Sequence, residues 1–314
     1  MRKKMTDEKQ YIFGPVPSRR LGLSLGVDIV PFKVCTLDCV YCQLGRTTEK
    51  TIERKEYVPV EAVLSELKQR LTESVRPDFI SLSGSGEPTL HSRFGQIIES
   101  IKKITDIPVA VLTNGTLLTD KSVRDDCCLA DVVLPSLDAG DEATFQKINR
   151  PCPDISIEKL IDGLVSFRNS FSGRLWLEVF LIEGLNTSSD AISKISAAID
   201  RIRPDKVQLN TAVRPTAEAG VTKLDYRALD SIAKKLGDNC EVIADFSTQL
   251  LGKHIETKAE HVFSMLKRRP CSLNDICSGL SINPNEALKY INSFRNQGLI
   301  IEQRKGHTLY FKAI

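Results

Sequence analysis

Three cysteines stand within eight residues of each other, at positions 35, 39 and 42 of the segment KVCTLDCVYCQLG. They follow a predicted strand, and their spacing is C-x3-C-x2-C. Three thiolates on one short loop can coordinate three irons of a cubane and leave the fourth iron without a protein ligand. An iron with an open position can bind a small molecule. The spacing therefore predicts that Cys35, Cys39 and Cys42 hold a 4Fe-4S cluster with one open coordination position.

A structural zinc or a closed cluster would require a fourth ligand near these cysteines. No histidine or cysteine partner follows in the next residues, so we favour the open cluster. The other six cysteines show no repeated metal-ligand spacing, and we expect them to be buried or incidental thiols. They are Cys127, Cys128, Cys152, Cys240, Cys271 and Cys277.

A second candidate motif, SGSGEPTL, stands at the end of the second predicted strand. Gly84 and Gly86 allow the backbone to turn sharply and to approach a ligand closely, because glycine has no Cβ. Glu87 supplies a carboxylate that can accept hydrogen bonds from a ligand ammonium. A glycine-rich turn with one glutamate is common, but its place one βα unit after the cysteines makes this one informative.

Polar residues also end the later predicted strands. They are Thr113 to Gly115, Ser136 and Asp138, Glu183 to Asn186, and Asn210 with Arg214. Each is compatible with helix capping, since Asn, Asp and Ser favour such turns. Together they are predicted to ring one face of the molecule.

With an aromatic residue, Tyr41, before its last cysteine, the C-x3-C-x2-C motif resembles the signature of the radical S-adenosylmethionine (SAM) superfamily. The Gly-Glu element follows in the order expected of that family. The resemblance implies that SAM chelates the open iron and that an electron cleaves it to a 5′-deoxyadenosyl radical, which abstracts hydrogen from a substrate. It implies catalytic and metal-binding roles for the three cysteines.

The resemblance also implies a set of SAM contacts. Tyr41 would lie near adenine, Gly86 and Glu87 would hold the methionine amino group, and the remaining contacts would reach the ribose, carboxylate or adenine. These remaining residues are Asn114, Ser136 and Asn186. The implied cofactors are a 4Fe-4S cluster and SAM, and the implied partner is an electron donor such as flavodoxin or ferredoxin.

The leader FGPVPSRRLGLSLGVDIVP and the continuation CQLGRT resemble a subgroup related to the radical enzymes of wyosine synthesis, which modify tRNA. Those enzymes use further upstream cysteines for a second cluster, and no cysteine precedes Cys35 here. Neither a second cluster nor that reaction is therefore predicted. Arg19 and Arg20 could pair with a phosphate or carboxylate, since guanidinium forks suit such groups. A structural role across a barrel opening is the alternative.

The elements that must position these residues alternate between β-branched runs and helical stripes, which predicts βαβ units. We therefore predict an α/β fold, a partial (β/α)6 TIM-like barrel over residues 1–252. An open doubly wound sheet has the same periodicity. The predicted strands are Leu25 to Val30, Asp78 to Ser83, Pro108 to Thr113, Asp131 to Leu137, Leu175 to Ile182 and Lys206 to Asn210, with a further candidate at Glu241 to Ala244.

Residues 253–314 show a different pattern, with three short helices and a hairpin, which predicts a small winged helix-turn-helix domain. From Lys253 onward there are ten lysine and arginine residues against five acidic ones. Arg268, Arg269, Arg304 and Lys305 are expected to form a basic face. Such a face could recruit RNA or DNA, and winged domains also bind peptides, so the predicted substrate is a macromolecule, either RNA or protein.

Composition bounds the class of protein. No apolar run approaches the roughly 18 residues of a membrane span, and the start MRKKMTDEKQ lacks an apolar signal core. Nine cysteines, three of them clustered, suit metal ligation in a reducing compartment. We expect a cytoplasmic protein without membrane contact, and the sequence leaves its oligomeric state open.

Two functions from different classes fit these features. The first is a radical SAM enzyme that modifies a macromolecule, and the second is an iron-sulfur, DNA-binding sensor of redox state or iron. A sensor needs ligands for iron but no site for a methionine amino group and no pocket. The Gly-Glu element therefore favours the enzyme.

Overall fold

Seven parallel strands position the cysteine loop in the structure of this protein, which is a computed structural model. It describes residues 11–73, 75–244, 259–280, 282, 284–306 and 308–314. The predicted domain boundary at residues 252 and 253 lies outside the described residues, as do Lys258 and His307 of the predicted helix and hairpin turn.

The main sheet has eight strands in the order β1-β2-β5-β6-β7-β8-β9-β10. Only β1 is antiparallel to its neighbour, and the other seven strands run parallel. These strands are β1 (Ile12–Ser18), β2 (Gly22–Val27), β5 (Phe79–Leu82), β6 (Val109–Thr113), β7 (Val132–Pro135), β8 (Arg174–Leu181), β9 (Lys206–Thr211) and β10 (Cys240–Val242). Two short strands, β3 (Val34–Cys35) and β4 (Glu49–Lys50), form a separate parallel pair.

Helices connect the parallel strands and cover one face of the sheet. They are α1 (Val60–Glu73), α2 (Phe94–Ile104), α3 (Lys121–Cys127), α4 (Glu142–Ile148), α5 (Ile157–Ser170), α6 (Ser189–Ile202) and α7 (Tyr226–Leu236). Several begin at side-chain caps: Asp141, Ser156, Ser188 and Asp225 each accept a hydrogen bond from a backbone N–H of the first turn.

The two faces of the sheet differ in polarity because strand side chains alternate. Leu25, Ile80 and Val111 belong to the large core beneath the helices. The opposite, inner face carries polar side chains among apolar ones, and Ser24 and Ser81 are buried there. The expected partial barrel is confirmed, with the candidate seventh strand present as β10. Within the described chain no pairing joins β1 to β10, so the barrel remains open on that side.

Strand β1 was absent from the sequence prediction. It contains Pro15 and Pro17, which cannot donate to a ladder and therefore argue against a strand. β1 lies at the edge of the sheet, and its pairing with β2 shifts register between Phe13 and Val16. Edge position and irregular register accommodate both prolines.

The C-terminal segment contains three helices and a three-stranded antiparallel sheet of order β11-β13-β12. Its elements are α8 (Ala259–Arg268), β11 (Cys271–Ser272), α9 (Leu273–Leu280), α10 (Pro284–Asn296), β12 (Ile300–Lys305) and β13 (Thr308–Ala313). They enclose a core of their own around Val262, Leu266 and Phe311. The predicted helices and hairpin lie where expected, and the winged helix-turn-helix interpretation stays a prediction. No helix of the described chain is long and apolar enough to span a bilayer.

The predicted basic face of this segment is wrong for most of its members. Arg268 forms an ion pair with Asp28 of the barrel. Lys305 donates to the carbonyl of Ala212 at 2.7 Å. Arg269 is half-buried and only Arg304 is exposed. These cations face the barrel because it offers them a carboxylate and backbone carbonyls, which periodicity in the sequence does not reveal.

Candidate active site

The three cysteines lie on a loop that the small β3–β4 pair holds in place. Cys35 ends β3, and its carbonyl accepts a hydrogen bond from the amide of Thr51 at 3.0 Å. The amide of Cys42 donates to the carbonyl of Cys39 at 3.1 Å and so closes a turn. All three are free thiols, and all three are half-buried.

Each cysteine sulfur accepts one hydrogen bond from a nitrogen of a neighbouring side chain. Asn114 Nδ2 lies 3.5 Å from Cys35 Sγ, and Asn149 Nδ2 lies 3.4 Å from Cys39 Sγ. Lys33 Nζ lies 3.1 Å from Cys42 Sγ. Such donors stabilise negative charge on sulfur, and they tune a metal bound to it. The loop is therefore surrounded by donors suited to three thiolates.

The donor set fits a 4Fe-4S cluster. Desolvation raises the pKa of Cys35 to about 12, and it also raises the pKa of Cys39. Burial therefore favours the protonated form of these two thiols, and binding of iron displaces the protons. Among the described residues, no three His, Cys, Asp or Glu side chains converge on a point where they could hold a single metal ion. A cubane does not require such convergence, because each thiolate binds a different iron.

Lys33 gives a testable prediction about this loop. Its ammonium is almost fully buried and contacts Cys42 Sγ. Replacing Lys33 by methionine removes a positive charge that favours the reduced cluster. We expect the Lys33→Met variant to bind iron and to have a cluster midpoint potential on the order of 100 mV more negative. A potentiometric titration followed by EPR measures this shift.

The matched control is Lys68→Met, because Lys68 is exposed on α1. It should leave the midpoint potential unchanged. Equal potentials in the Lys33 and Lys68 variants would show that the Lys33 ammonium does not act on the cluster.

The glycine-rich turn packs directly on the cysteine loop. A Cβ added to Gly86 would lie 2.0 Å from the carbonyl oxygen of Val34, so no other residue fits there. The next amide, that of Glu87, donates to the same carbonyl at 3.0 Å. Gly84 has a φ of +153°, and a Cβ there would lie 2.4 Å from the carboxylate carbon of Asp28. Both glycines therefore serve close approach to protein groups.

The Glu87 carboxylate is buried and surrounded by protein donors. One oxygen accepts from the Thr89 amide at 3.1 Å and from the hydroxyls of Thr89 and Thr113, both at 2.6 Å. The other oxygen accepts from the Asn114 amide at 2.7 Å. Desolvation raises the pKa of Glu87, and these four hydrogen bonds oppose that rise. Since each carboxylate oxygen has about two acceptor positions, the second oxygen, with one protein donor, keeps a position for the predicted contact with a ligand ammonium.

Asn114 links the end of β6 to the cysteine loop. Its amide nitrogen donates to Thr36 Oγ1 at 2.7 Å, in addition to its contact with Cys35. Its side-chain oxygen accepts from the amide and hydroxyl of Thr116 at 3.0 and 2.7 Å. Asn114, Glu87 and Cys35 thus belong to one hydrogen-bonded group.

Tyr41 belongs to a second group, centred on Asp138. The Tyr41 hydroxyl and Asn149 Nδ2 donate to the same Asp138 oxygen at 2.5 and 2.7 Å. The Tyr41 ring is stacked on Phe180 with a centroid distance of 4.0 Å. Desolvation raises the pKa of Asp138 to about 6. The Tyr41 phenol is thereby fixed towards the interior.

Asn186 and Ser136 are the remaining predicted SAM contacts. Asn186 is fully buried and donates to the carbonyls of Asp138 and Phe180 at 2.8 and 2.9 Å. Its side-chain oxygen accepts from the Ile182 amide at 2.8 Å. Ser136 is half-buried and pairs with Glu178 through a parallel bridge. The predicted SAM contacts of Asn186 and Ser136 stay predictions.

Sequence reasoning missed two residues of the site. Asn149 comes from the end of α4 and Lys33 from a turn before β3, and both contact cysteine sulfurs. No spacing connects Asn149 to Cys39, because 110 positions separate them. Lys33 stands two positions before Cys35, and its positive φ of 62° is a feature of the folded turn alone.

Comparison with known families supports the chemistry expected of this loop. Residues 29–192 match the model of the radical SAM superfamily. This range contains the three cysteines, the glycine-rich turn, Asn114 and Asp138.

Two protein relatives and one solved structure extend the comparison. The UPF0026 protein of Methanocaldococcus jannaschii is 32% identical over 312 residues, which cover 96% of each chain. The GTPase Obg of Brachyspira hyodysenteriae is 38% identical over 279 residues, which are 88% of this chain but 41% of that protein. The structure of TYW1 with a lysine-pyruvate adduct bound has a TM-score of 0.50 at 20% identity and covers 73% of this chain and 76% of that one. The TYW1 match shows a shared fold.

Proposed function

Because this chain belongs to the radical SAM superfamily, we propose that it cleaves SAM reductively at a 4Fe-4S cluster and uses the 5′-deoxyadenosyl radical to abstract hydrogen from a macromolecular substrate. SAM and a 4Fe-4S cluster are the cofactors of the family. The observation that carries the proposal is the loop of three free thiols, each with a nitrogen donor on its sulfur.

When bound, the cluster supplies the electron for cleavage of SAM. Cys35, Cys39 and Cys42 would hold three irons, and Lys33, Asn114 and Asn149 would stabilise the charge on their sulfurs. Glu87 fixes the backbone around Asn114 through the hydrogen bond that it accepts from the Asn114 amide. Gly86 brings the glycine-rich turn against the cysteine loop, so the backbone of that turn would line the space beside a cluster held by the loop.

Tyr41 and Asp138 are proposed to form the wall on which adenine lies. Asp138 accepts from the Tyr41 hydroxyl and from the Phe180 amide, so it locks the stacked pair of rings. A rigid aromatic wall orients a bound base and excludes water from the reacting carbon. SAM contacts at Ser136 and Asn186 are proposed on the family resemblance alone.

A macromolecular substrate, RNA or a peptide, is proposed from the C-terminal segment. Its exposed side chains include apolar and basic ones: Ile301 is 44% exposed, Ile314 is 82% exposed, and Arg304 is exposed. Relationship to the wyosine-synthesis enzymes, a flavodoxin or ferredoxin as electron donor, and a cytoplasmic location are parts of the same proposal. They rest on the sequence resemblance and composition.

The experiment that tests this function is anaerobic. We expect the protein, reconstituted with iron and sulfide, reduced and mixed with SAM, to produce 5′-deoxyadenosine and to show a changed EPR spectrum of the reduced cluster. A fully loaded cluster whose EPR spectrum and stability do not change when SAM is added would contradict the proposal and favour the iron-sulfur sensor.

A further inference from the structure

A cavity of about 160 Å³ lies between the inner face of the barrel and the C-terminal segment. Its lining combines four arginines and four serines with five apolar side chains. The arginines are Arg19, Arg20, Arg268 and Arg269, and the barrel serines are Ser18, Ser24, Ser81 and Ser83. Among the described residues that line the cavity, none is acidic.

The arginines reach the cavity from two directions. Arg20, in the turn between β1 and β2, is held by an ion pair with Glu178 at 2.5 Å. Arg268, at the end of α8, is held by Asp28 and by the Phe13 ring, whose centroid lies 3.8 Å from its guanidinium carbon. A guanidinium carries five N–H donors, and the recorded contacts of Arg20 and Arg268 with carboxylates each use one nitrogen. Both side chains are therefore oriented in advance of ligand binding.

The serine hydroxyls come from the strands of the inner face. Ser24 Oγ lies 2.8 Å from Ser81 Oγ, which lies 3.3 Å from Ser83 Oγ. A row of linked hydroxyls can turn its outermost proton towards an acceptor in the cavity. The cavity thus offers O–H donors from the strands and N–H donors from the turn and from α8.

Electrostatics favour an anion here. Burial, together with Arg214, Arg20 and Arg269, lowers the pKa of Arg19 to about 9, and Glu178 opposes this shift. Burial and Arg214 lower the pKa of Arg269, and Cys271 and Asp275 oppose that shift. Mutual repulsion among cations that are out of water is relieved when an anion binds between them.

We propose that this cavity binds a phosphate group of the substrate. The assignment rests on the proposed function, because it takes the barrel interior as the place where substrate meets the radical. A phosphate is tetrahedral and accepts donors from several directions, whereas a carboxylate accepts mainly in one plane. The donors in this cavity come from the strands, the turn and α8, and these several directions match a phosphate. The substrate class is therefore a phosphate-bearing molecule.

The cavity adjoins the candidate SAM site through one loop. Ser83 lines the cavity, and Gly84 to Gly86 continue from it to the cysteine loop. Arg268 also donates to Ser85 Oγ at 3.3 Å. A phosphate in this cavity would hold the rest of the substrate near the glycine-rich turn and the cysteine loop.

The test is calorimetric titration of the reconstituted full-length protein with inorganic phosphate. We expect saturable binding that is weakened about tenfold in Arg269→Gln and unchanged in Arg304→Gln, which removes the same charge from an exposed position. Ser83→Ala removes one hydroxyl and is the second variant, to be used if Arg269→Gln does not fold. It should weaken phosphate binding severalfold. Thermal unfolding of each variant reports whether it is folded.

Absence of phosphate binding, or equal loss in Arg269→Gln and Arg304→Gln, would overturn the proposal. Acetate that competes as strongly as phosphate would also overturn it in favour of a carboxylate. A short oligoribonucleotide and a nucleoside monophosphate, titrated in parallel, distinguish a polymeric from a small phosphate source. Cleavage of SAM, assayed on the same samples, separates failure of this site from failure of the enzyme assignment.

Discussion

The Cys35→Ala, Cys39→Ala and Cys42→Ala variants should each lose the 4Fe-4S cluster and all reductive cleavage of SAM. The effect is large because each thiolate would hold a different iron, so no remaining ligand can replace the missing one. Iron and sulfide content after anaerobic reconstitution, and the yield of 5′-deoxyadenosine, measure the two losses.

Cys152→Ala is the matched control for these variants. Cys152 is buried, and its amide donates to the carbonyl of Thr36, close to the cysteine loop. Its replacement tests whether the loss of a nearby thiol is enough to disrupt the cluster. We expect full cluster content and normal cleavage of SAM. Intact cleavage in a variant of Cys35, Cys39 or Cys42 would refute the assignment of the cluster.

The Glu87→Gln variant should be destabilised by about 3 kcal/mol. An amide in place of the carboxylate would point an NH2 group at donors that now bind oxygen, and the site is buried. We also expect lower cluster content, because Glu87 fixes the Asn114 backbone and the Asn114 side chain contacts Cys35. Urea unfolding measures the first effect, and iron content measures the second.

Glu99→Gln makes the same chemical change at an exposed position of α2 and should alter neither quantity. A Glu87→Gln variant as stable as the unchanged protein would show that the four hydrogen bonds contribute little. Normal stability with lost SAM-induced EPR changes would instead assign Glu87 to ligand binding, as the family resemblance implies.

Charged and polar residues of the C-terminal segment bind the barrel, so they are not all available to a macromolecular partner. Arg214 and Asp275 form a buried ion pair at 2.9 Å between barrel and segment, and Tyr310 donates to the Val213 carbonyl at 2.6 Å. Removing one member of such a pair leaves an uncompensated buried charge, which is costly. The segment therefore supplies part of the wall of the barrel interior, in addition to any surface that it offers to a macromolecule.

The sequence by itself determined the parts of this protein that depend on local spacing. Three cysteines within eight residues must share a loop, and alternation of β-branched runs with helical stripes indicated the parallel sheet. Capping residues and apolar stripes act over one or two turns, so they are visible in the chain. β1 was one exception, because its prolines conceal an edge strand, and the short β3–β4 pair was another.

Only the tertiary structure decided what each polar side chain contacts. Arg20 meets Glu178 across 158 positions, Arg268 meets Asp28 across 240, and Asn149 meets Cys39 across 110. Glu87 and Asn186 follow strand ends as expected, but the protein donors to Glu87 and the protein carbonyls and amide bound by Asn186 were not predictable. Hydrogen bonds and ion pairs depend on distances of a few ångströms between elements far apart in sequence. Those distances are set when the sheet forms and the C-terminal segment packs against the barrel.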